Sequence, residues 1–373
     1  MSDDAATPPS PSQTPAPDPP VNSYNEWDPL EEVIVGRVTG AAVPPWHISL
    51  QSATPEHSWD LLKVLSAKPA PSAFVEAARR DVEQFVHILE AEGVKVRRPD
   101  PIPQTPGFAT PDWECEAGYN IANPRDLLLV LGDEILETPG AWRPRYFEQM
   151  AYRKLLHEYF EAGARWTAAP KPRLADSFYN EDYTVPAEGE PLRYSINETE
   201  MTFDAADFTR CGRDIFATRS NVTNEFGIEW LRRHLGDDYT IHRVDTRCRQ
   251  PMHIDTTLVP LGPGKALVNP DFLGIENVPE IMQKHWELRE APPPVADLTQ
   301  PLDLSSAWLS MNVLVLDPQR VIVEASQEPL IALLKDWRIE PIPCPFSNYF
   351  VYGGAFHCAT LDVRRRGTLE SYF

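Results

Sequence analysis

Cys358 lies in the stretch Gly353-Gly354-Ala355-Phe356-His357-Cys358-Ala359-Thr360-Leu361-Asp362-Val363-Arg364-Arg365-Arg366-Gly367. Two glycines let the backbone approach another group closely, an imidazole is adjacent, and three arginines follow within eight residues. Cationic neighbours favour the thiolate, the nucleophilic form of cysteine. Such a nucleophile needs a base, a group that orients the base, and a pocket for an electrophile. The ordinary alternative is an inert cysteine that packs as a small hydrophobe.

Partners must come from elsewhere in the chain. His253-Ile254-Asp255 puts two polar side chains on one face of an expected strand, because strand side chains alternate. A hydrogen-bonded pair at a strand start would look the same. Asp204 and Asp207 precede another strand and also suit turn or cap roles. Asp126, after Pro124-Arg125, is a strand-entry acid, and Ser305-Ser306 before Trp308 suits a helix cap. Adjacent arginines cannot all point one way, so at least one of Arg364, Arg365 and Arg366 is expected to pair with surface acids.

The elements that would gather these residues follow a repeating plan. Residues 125–138 read as strand, turn, strand, followed by a helical stretch over about 145–161. Residues 204–218 repeat it, with a helix near 224–234 and a strand near 239–244. A third copy starts at His253 and turns at Gly262-Pro263-Gly264. A fourth spans 311–317 and 320–325, then a helix to Trp337. One such unit cannot bury its sheet alone, so the copies should pack around a shared centre. The alternation of strand and helix gives an α/β class. Asp126, Asp204, His253 and Asp255, near the repeat starts, would then converge on one axis. Residues 170–200 and 285–306 lack periodicity and read as surface excursions. Residues 1–22, rich in Pro, Ala, Ser and Asp, read as a disordered tail, leaving 23–373 as a single catalytic domain.

Composition removes several function classes. The 373 residues are 42% hydrophobic, with a formal net charge of −21. A chain this acidic lacks the basic face that nucleic acid requires. The five cysteines (115, 211, 248, 344, 358) form no CxxC pair, which argues against a disulfide framework and a structural zinc site. No metal and no cofactor are expected. No apolar run approaches a membrane span, and Met1-Ser2-Asp3-Asp4 lacks the start of a signal peptide. The cytoplasm is the expected compartment.

Jointly, Asn25–Gly36, Pro124–Asp126, Phe203–Phe216, Met252–Asp255 with Asn269-Pro270-Asp271, Ser305–Asn312 and Phe356–Gly367 resemble the L-arginine:amine amidinotransferases. That family includes glycine amidinotransferase and the inosamine-phosphate amidinotransferases. The resemblance runs from about residue 25 onward and is most specific in the Phe-His-Cys…Asp-Val-Arg-Arg segment. It implies a five-fold pseudosymmetric α/β propeller of the pentein kind. This agrees with the four copies above, with the strand near Val33 as the start of a fifth. It further implies Cys358 as nucleophile, His253 as general acid/base and Asp204 as the carboxylate that orients it. Asp126 and Asp255 would hold a guanidinium, and Ser305 and Ser306 would touch the amino-acid part of the donor. The partners implied are L-arginine and a primary amine, in a ping-pong reaction, with a homodimer as the expected assembly.

Two departures bear on the acceptor. The family commonly carries an Arg after Asn269-Pro270-Asp271, where this chain has Phe272. The run Asn348-Tyr349-Phe350-Val351-Tyr352 is more aromatic than in glycine-specific members. Phe272 and Phe350 therefore point to a bulky amine with apolar surface, such as an amino-terminated polyketide of specialised metabolism. Glycine, lysine or an aminocyclitol are the rival acceptors. Water would make the chain an arginine-hydrolysing, deiminase-like enzyme, and a non-catalytic interaction protein is a third class.

Overall fold

The computed structural model describes residues 19–295 and 306–373. Five small sheets share one plan, in which a first strand runs antiparallel to a second and the second runs parallel to a third. In chain order the blades are Leu128–Leu131, Glu134–Glu137 and Arg165–Ala168; then Phe208–Cys211, Asp214–Ala217 and Thr240–Arg243; then Leu258–Gly262, Lys265–Val268 and Glu287–Glu290; then Leu314–Asp317, Arg320–Glu324 and Glu340–Cys344. The fifth blade joins sequence-distant segments: Thr360–Arg365 pairs with Leu30–Val35, which pairs with Lys95–Arg97. Between the second and third strands of every blade lies a helix: Ser72–Ala91, Arg153–Glu161, Glu225–Leu235, Glu280–His285 or Glu328–Asp336. The fold is therefore a five-bladed α/β propeller.

Each helix needs an apolar stripe to lie on its sheet. Ser72–Ala91 buries Ala78, Val82, Phe85 and Leu89, spaced at helical intervals. Phe85 meets Phe346 and Phe356 at ring-centroid distances of 5.2 and 5.1 Å. Burying side chains of this size contributes roughly 1.5–3 kcal/mol each. The first strands are buried on both faces and pack against those of neighbouring blades, so they form the inner wall.

Three details depart from the sequence reading. The strand near Val33 is the second strand of its blade, and Thr360–Arg365 supplies the first. The segment after residue 285 contains a true third strand, Glu287–Glu290, paired in parallel with Lys265–Val268. It was masked as sequence because an edge strand this exposed shows no alternation. The ordered chain also starts before the expected boundary. Val21 is fully buried, and Asn22 donates to the carbonyls of Arg365 and Gly367 at 2.7 and 3.0 Å. Residues 1–18 and 296–305 lie outside the described part.

A buried ionic cluster fills the inside of the ring. Arg210 reaches Glu26 at 2.8 Å and Asp362 at 2.5 Å, Arg365 reaches Asp362 at 2.7 Å, and Arg125 also pairs with Asp362. Burial would raise the pKa of Asp362, but Arg125, Arg210 and Arg365 hold it well below the usual carboxylate range. These arginines come from different blades, so the cluster ties the ring together through charge-assisted bonds.

Candidate active site

The catalytic candidates sit on the short turns that lead into the first strands. Asp126 lies in the helical turn Pro124–Leu127, and Asp204 stands just before the 3-10 turn Ala205–Asp207. His253 and Asp255 lie in the bend before Leu258, not on a strand as expected from their alternation. His253 has φ of +61°, a left-handed conformation that is costly for a residue with a Cβ. That twist, rather than strand alternation, lets both side chains face the same cavity. Cys358 sits in the turn before Thr360.

All of them are buried. The His253 ring lies 3.2 Å from Asp204 Oδ2 through Nε2 and 3.6 Å from Asp126 Oδ1 through Nδ1. Ligand atoms of Asp126, His253 and Cys358 all lie within 4.8 Å of one another. On the other side, Cys358 Sγ donates to Asp255 Oδ2 at 3.3 Å. Burial would lower the pKa of His253, but Asp126, Asp204 and Cys358 raise it well above the ordinary imidazole value. Burial, seconded by Asp255, pushes the Cys358 thiol up to about 12. Burial likewise raises Asp126, whereas Asp255 is lowered because His357 and His253 outweigh its burial.

The electropositive setting expected from Arg364, Arg365 and Arg366 is absent. Arg364 and Arg366 pair with Glu31, and Arg365 is locked on Asp362. In the strand, Arg364 and Arg365 alternate between faces. The neighbours of Cys358 are acids and histidine. The glycines do serve close approach. A Cβ on Gly354 would stand 2.6 Å from Asn123 Oδ1 and 2.6 Å from the Cβ of Cys358, and Gly353 has φ of +75°.

Asn312 was missed in the sequence. Its Oδ1 accepts from the backbone N–H of Cys358 (3.1 Å) and of Ala355 (3.2 Å), and its Nδ2 donates to Cys358 Sγ (3.2 Å). One side chain thus fixes both the loop and the sulfur. The available signal was positional: Asn312 precedes the strand starting at Leu314 by the same offset at which Asp126 precedes Leu128 and Cys358 precedes Thr360. Arg145 was missed too. It binds Asp126 Oδ2 and Glu148 Oε2, both at 2.6 Å.

A cavity of about 770 Å³, its open mouth included, is lined by Asp126, His253, Asp255 and Cys358 together with Phe272 and Ser306. Asp126 Oδ1 and Asp255 Oδ1 are buried without a hydrogen-bond partner. Ser306 also caps the turn Ala307–Met311, and Ser305 lies outside the described residues. Phe272 packs beside Trp308, ring centroids 6.5 Å apart. Phe350 does not reach the cavity. It is 4% exposed within the apolar core that helix Ser72–Ala91 covers, because the 3-10 turn Ser347–Tyr352 lays that flank against the helix. Tyr352, from the same run, lines the cavity instead.

No protein-family model matches the chain. It is 50% identical over 353 residues to the L-arginine:L-lysine amidinotransferase of Pseudomonas savastanoi pv. phaseolicola, covering 95% of this chain and 96% of that protein. The chain belongs to the amidinotransferases. The mitochondrial glycine amidinotransferase of Gallus gallus is 45% identical, over 97% of this chain and 87% of its own length. Among solved structures, an amidinotransferase of the saxitoxin biosynthetic pathway from Microseira wollei superposes with a TM-score of 0.91 at 53% identity, covering 95% of this chain and 100% of that one. As an amidinotransferase, the protein is a transferase. Among the described residues no helix is long and apolar enough to cross a membrane.

Proposed function

We propose that this amidinotransferase moves the amidino group of L-arginine to a primary amine through an amidino adduct on Cys358. The observation that carries the reading is the pair of buried oxygens, Asp126 Oδ1 and Asp255 Oδ1, that accept no hydrogen bond beside the thiol. A buried carboxylate oxygen without a donor is costly, and a planar guanidinium supplies paired N–H donors in the matching form.

Donor binding also supplies what the free thiol lacks. A cation between Asp126 and Asp255 offsets the negative charge that, with burial, holds the proton on Cys358. As the donor binds, the thiol proton passes to His253 and the thiolate forms a bond to the central guanidinium carbon. The bond from that carbon to the substituted nitrogen breaks, and His253 delivers the proton that this nitrogen takes as ornithine leaves. Asp204 holds the imidazole in place for the transfer. In the second half, the acceptor amine bonds to the amidino carbon and loses a proton to His253. The carbon–sulfur bond breaks, His253 returns the proton to the sulfur, and Cys358 is restored. Ping-pong kinetics follow.

The acceptor in this reading is a bulky amine with apolar surface. Leu50, Met252, Phe272 and Leu309 give the cavity an apolar wall. Ala53, Cys248, Gln250, Phe272 and Ser306 are shared with an open vestibule of about 1920 Å³. A ligand body larger than an amino acid can lie there while its amine reaches Cys358.

Incubation with arginine followed by peptide mass spectrometry tests the adduct. A mass gain of one amidino group on the Cys358 peptide is expected, and an unmodified peptide after turnover would overturn the mechanism. Product analysis with glycine, lysine and long-chain amines tests the acceptor, and a preference for glycine would sink the bulky-amine reading.

A further inference from the structure

His357 is a buried titratable group that the proposed reaction leaves unused. Its ring is bonded at both ends, Nδ1 to Asp255 Oδ2 at 2.9 Å and Nε2 to Glu26 Oε2 at 3.2 Å. Asp255 Oδ2 therefore serves His357 and the Cys358 thiol together, while Asp255 Oδ1 stays open. A small cleft, with room for about 10 Å³, lies behind this pair and is walled by Leu258, Val259, Val313 and Val315. Asp255 lines both this cavity and the substrate cavity, whereas His357 and Glu26 line only the rear one. Glu26 is held in turn by Arg210 at 2.8 Å.

Resting on the arginine reading, we propose that His357 is a positioning residue of the guanidinium site. As an imidazolium clamped between Asp255 and Glu26, it fixes one oxygen of Asp255 and keeps that carboxylate charged, so the other oxygen is aimed at the donor.

The groups that face His357 fit this role. Asp255 and Glu26 flank the ring, and both favour its protonated form. Arg125, whose Nε lies 3.4 Å from the His357 carbonyl, works the other way. The net direction is a pKa raised above the ordinary imidazole value despite burial. Without the clamp, Asp255 would lose a charged donor and turn toward the thiol, where its charge opposes thiolate formation.

The test compares arginine KM and kcat for the full-length protein, His357→Gln and His357→Ala, each checked by thermal unfolding. His357→Ala should raise arginine KM by about 10- to 100-fold, the effect of one lost hydrogen bond to a charged group, with a smaller change in kcat. His357→Gln keeps one donor toward Asp255 and should recover part of that loss. Added imidazole can fill the space that the deleted side chain leaves and should lower KM in His357→Ala but not in the parent. A purely structural role predicts lower thermal stability with no imidazole rescue and an unchanged KM, and that pattern would overturn the proposal. If the parent forms no amidino adduct on Cys358, the arginine reading fails first. If the parent forms it and KM ignores His357, only this inference fails.

Discussion

Two clusters of buried charge share the inside of the ring and stand in opposite states. In one, Glu26 and Asp362 meet Arg125, Arg210 and Arg365, and the carboxylates are held well below their ordinary pKa by those guanidinium groups. In the other, Asp126, Asp204 and Asp255 surround Cys358 and His253, and two carboxylate oxygens accept no hydrogen bond, Asp126 Oδ1 having only the His253 ring at 3.6 Å. The first cluster brings its own guanidinium groups, and the second has a vacancy of the same chemistry. Charge pairing that is complete serves the fold, and pairing left open by one planar cation serves a ligand. The same residue type thus marks the difference: an arginine of the chain in one place, an arginine of solution in the other.

The largest effect should come from the open cluster. Cys358→Ser is expected to cut amidino transfer by about 10⁴-fold or more with little change in thermal stability, read from product formation and unfolding curves. Asp362→Asn should do the reverse. Removing one partner from a buried ionic set costs about 3–5 kcal/mol, so the melting temperature should fall sharply while arginine KM in the folded fraction stays near the parent value. Asp255→Asn should raise arginine KM by roughly 10- to 100-fold with a smaller loss of stability than Asp362→Asn, since Asp255 pairs with the single cation His357 and Asp362 with three arginines. If Asp255→Asn unfolds the protein as Asp362→Asn does, the distinction between the clusters collapses.

A pH series separates the clusters with a smaller effect. Burial raises Glu148 and Asp207 to about 7 in the folded chain, with Asp126 also raised. A group with a raised folded pKa gives stability that is present below its unfolded pKa and lost as pH rises through the folded value. Glu26, Asp362 and Asp255 are lowered, so their stability is present above the unfolded carboxylate range and lost as pH falls below it. Stability of the free protein should therefore peak near pH 5 and decline toward pH 8, measured by chemical denaturation. Arginine should flatten the alkaline side, because it binds the ionised form of Asp126. The smallest expected effect is on acceptor choice. Phe272→Arg should shift the ratio of transfer rates toward carboxylated amines by a few-fold, and no shift would mean that Phe272 does not meet the acceptor.

Much of this layout was legible in the sequence. The hairpin repeats carry apolar strands and tight turns, three at glycine and one at Pro318-Gln319, so four of the five blades could be read locally. The missing blade is built from segments over three hundred residues apart, and no local pattern announces a pairing of Thr360–Arg365 with Leu30–Val35. Polar side chains at blade starts pointed to Asp126, Asp204, His253 and Asp255. Asn312 escaped because an amide before a strand is an ordinary turn residue until its partner, the backbone of Cys358, is known. Phe350 misled because an aromatic beside a glycine turn can face either way. Which way depends on helix Ser72–Ala91, whose contacts are non-local. The arginines after Cys358 misled for a related reason, since nearness in sequence says little about direction along a strand.

The pairing of Thr360–Arg365 with Leu30–Val35 also sets an order of events during synthesis. The strand at Leu30–Val35 leaves the ribosome early and waits for its antiparallel partner until almost all the rest has been made. Closing so long a loop is slow, and the ring stays open until it happens. Cys358 arrives on the turn that leads into the closing strand, so the thiol meets Asn312 and Asp255 only as the ring shuts. A nascent or clipped chain that cannot close therefore carries no aligned nucleophile, and reactivity appears together with the finished shape.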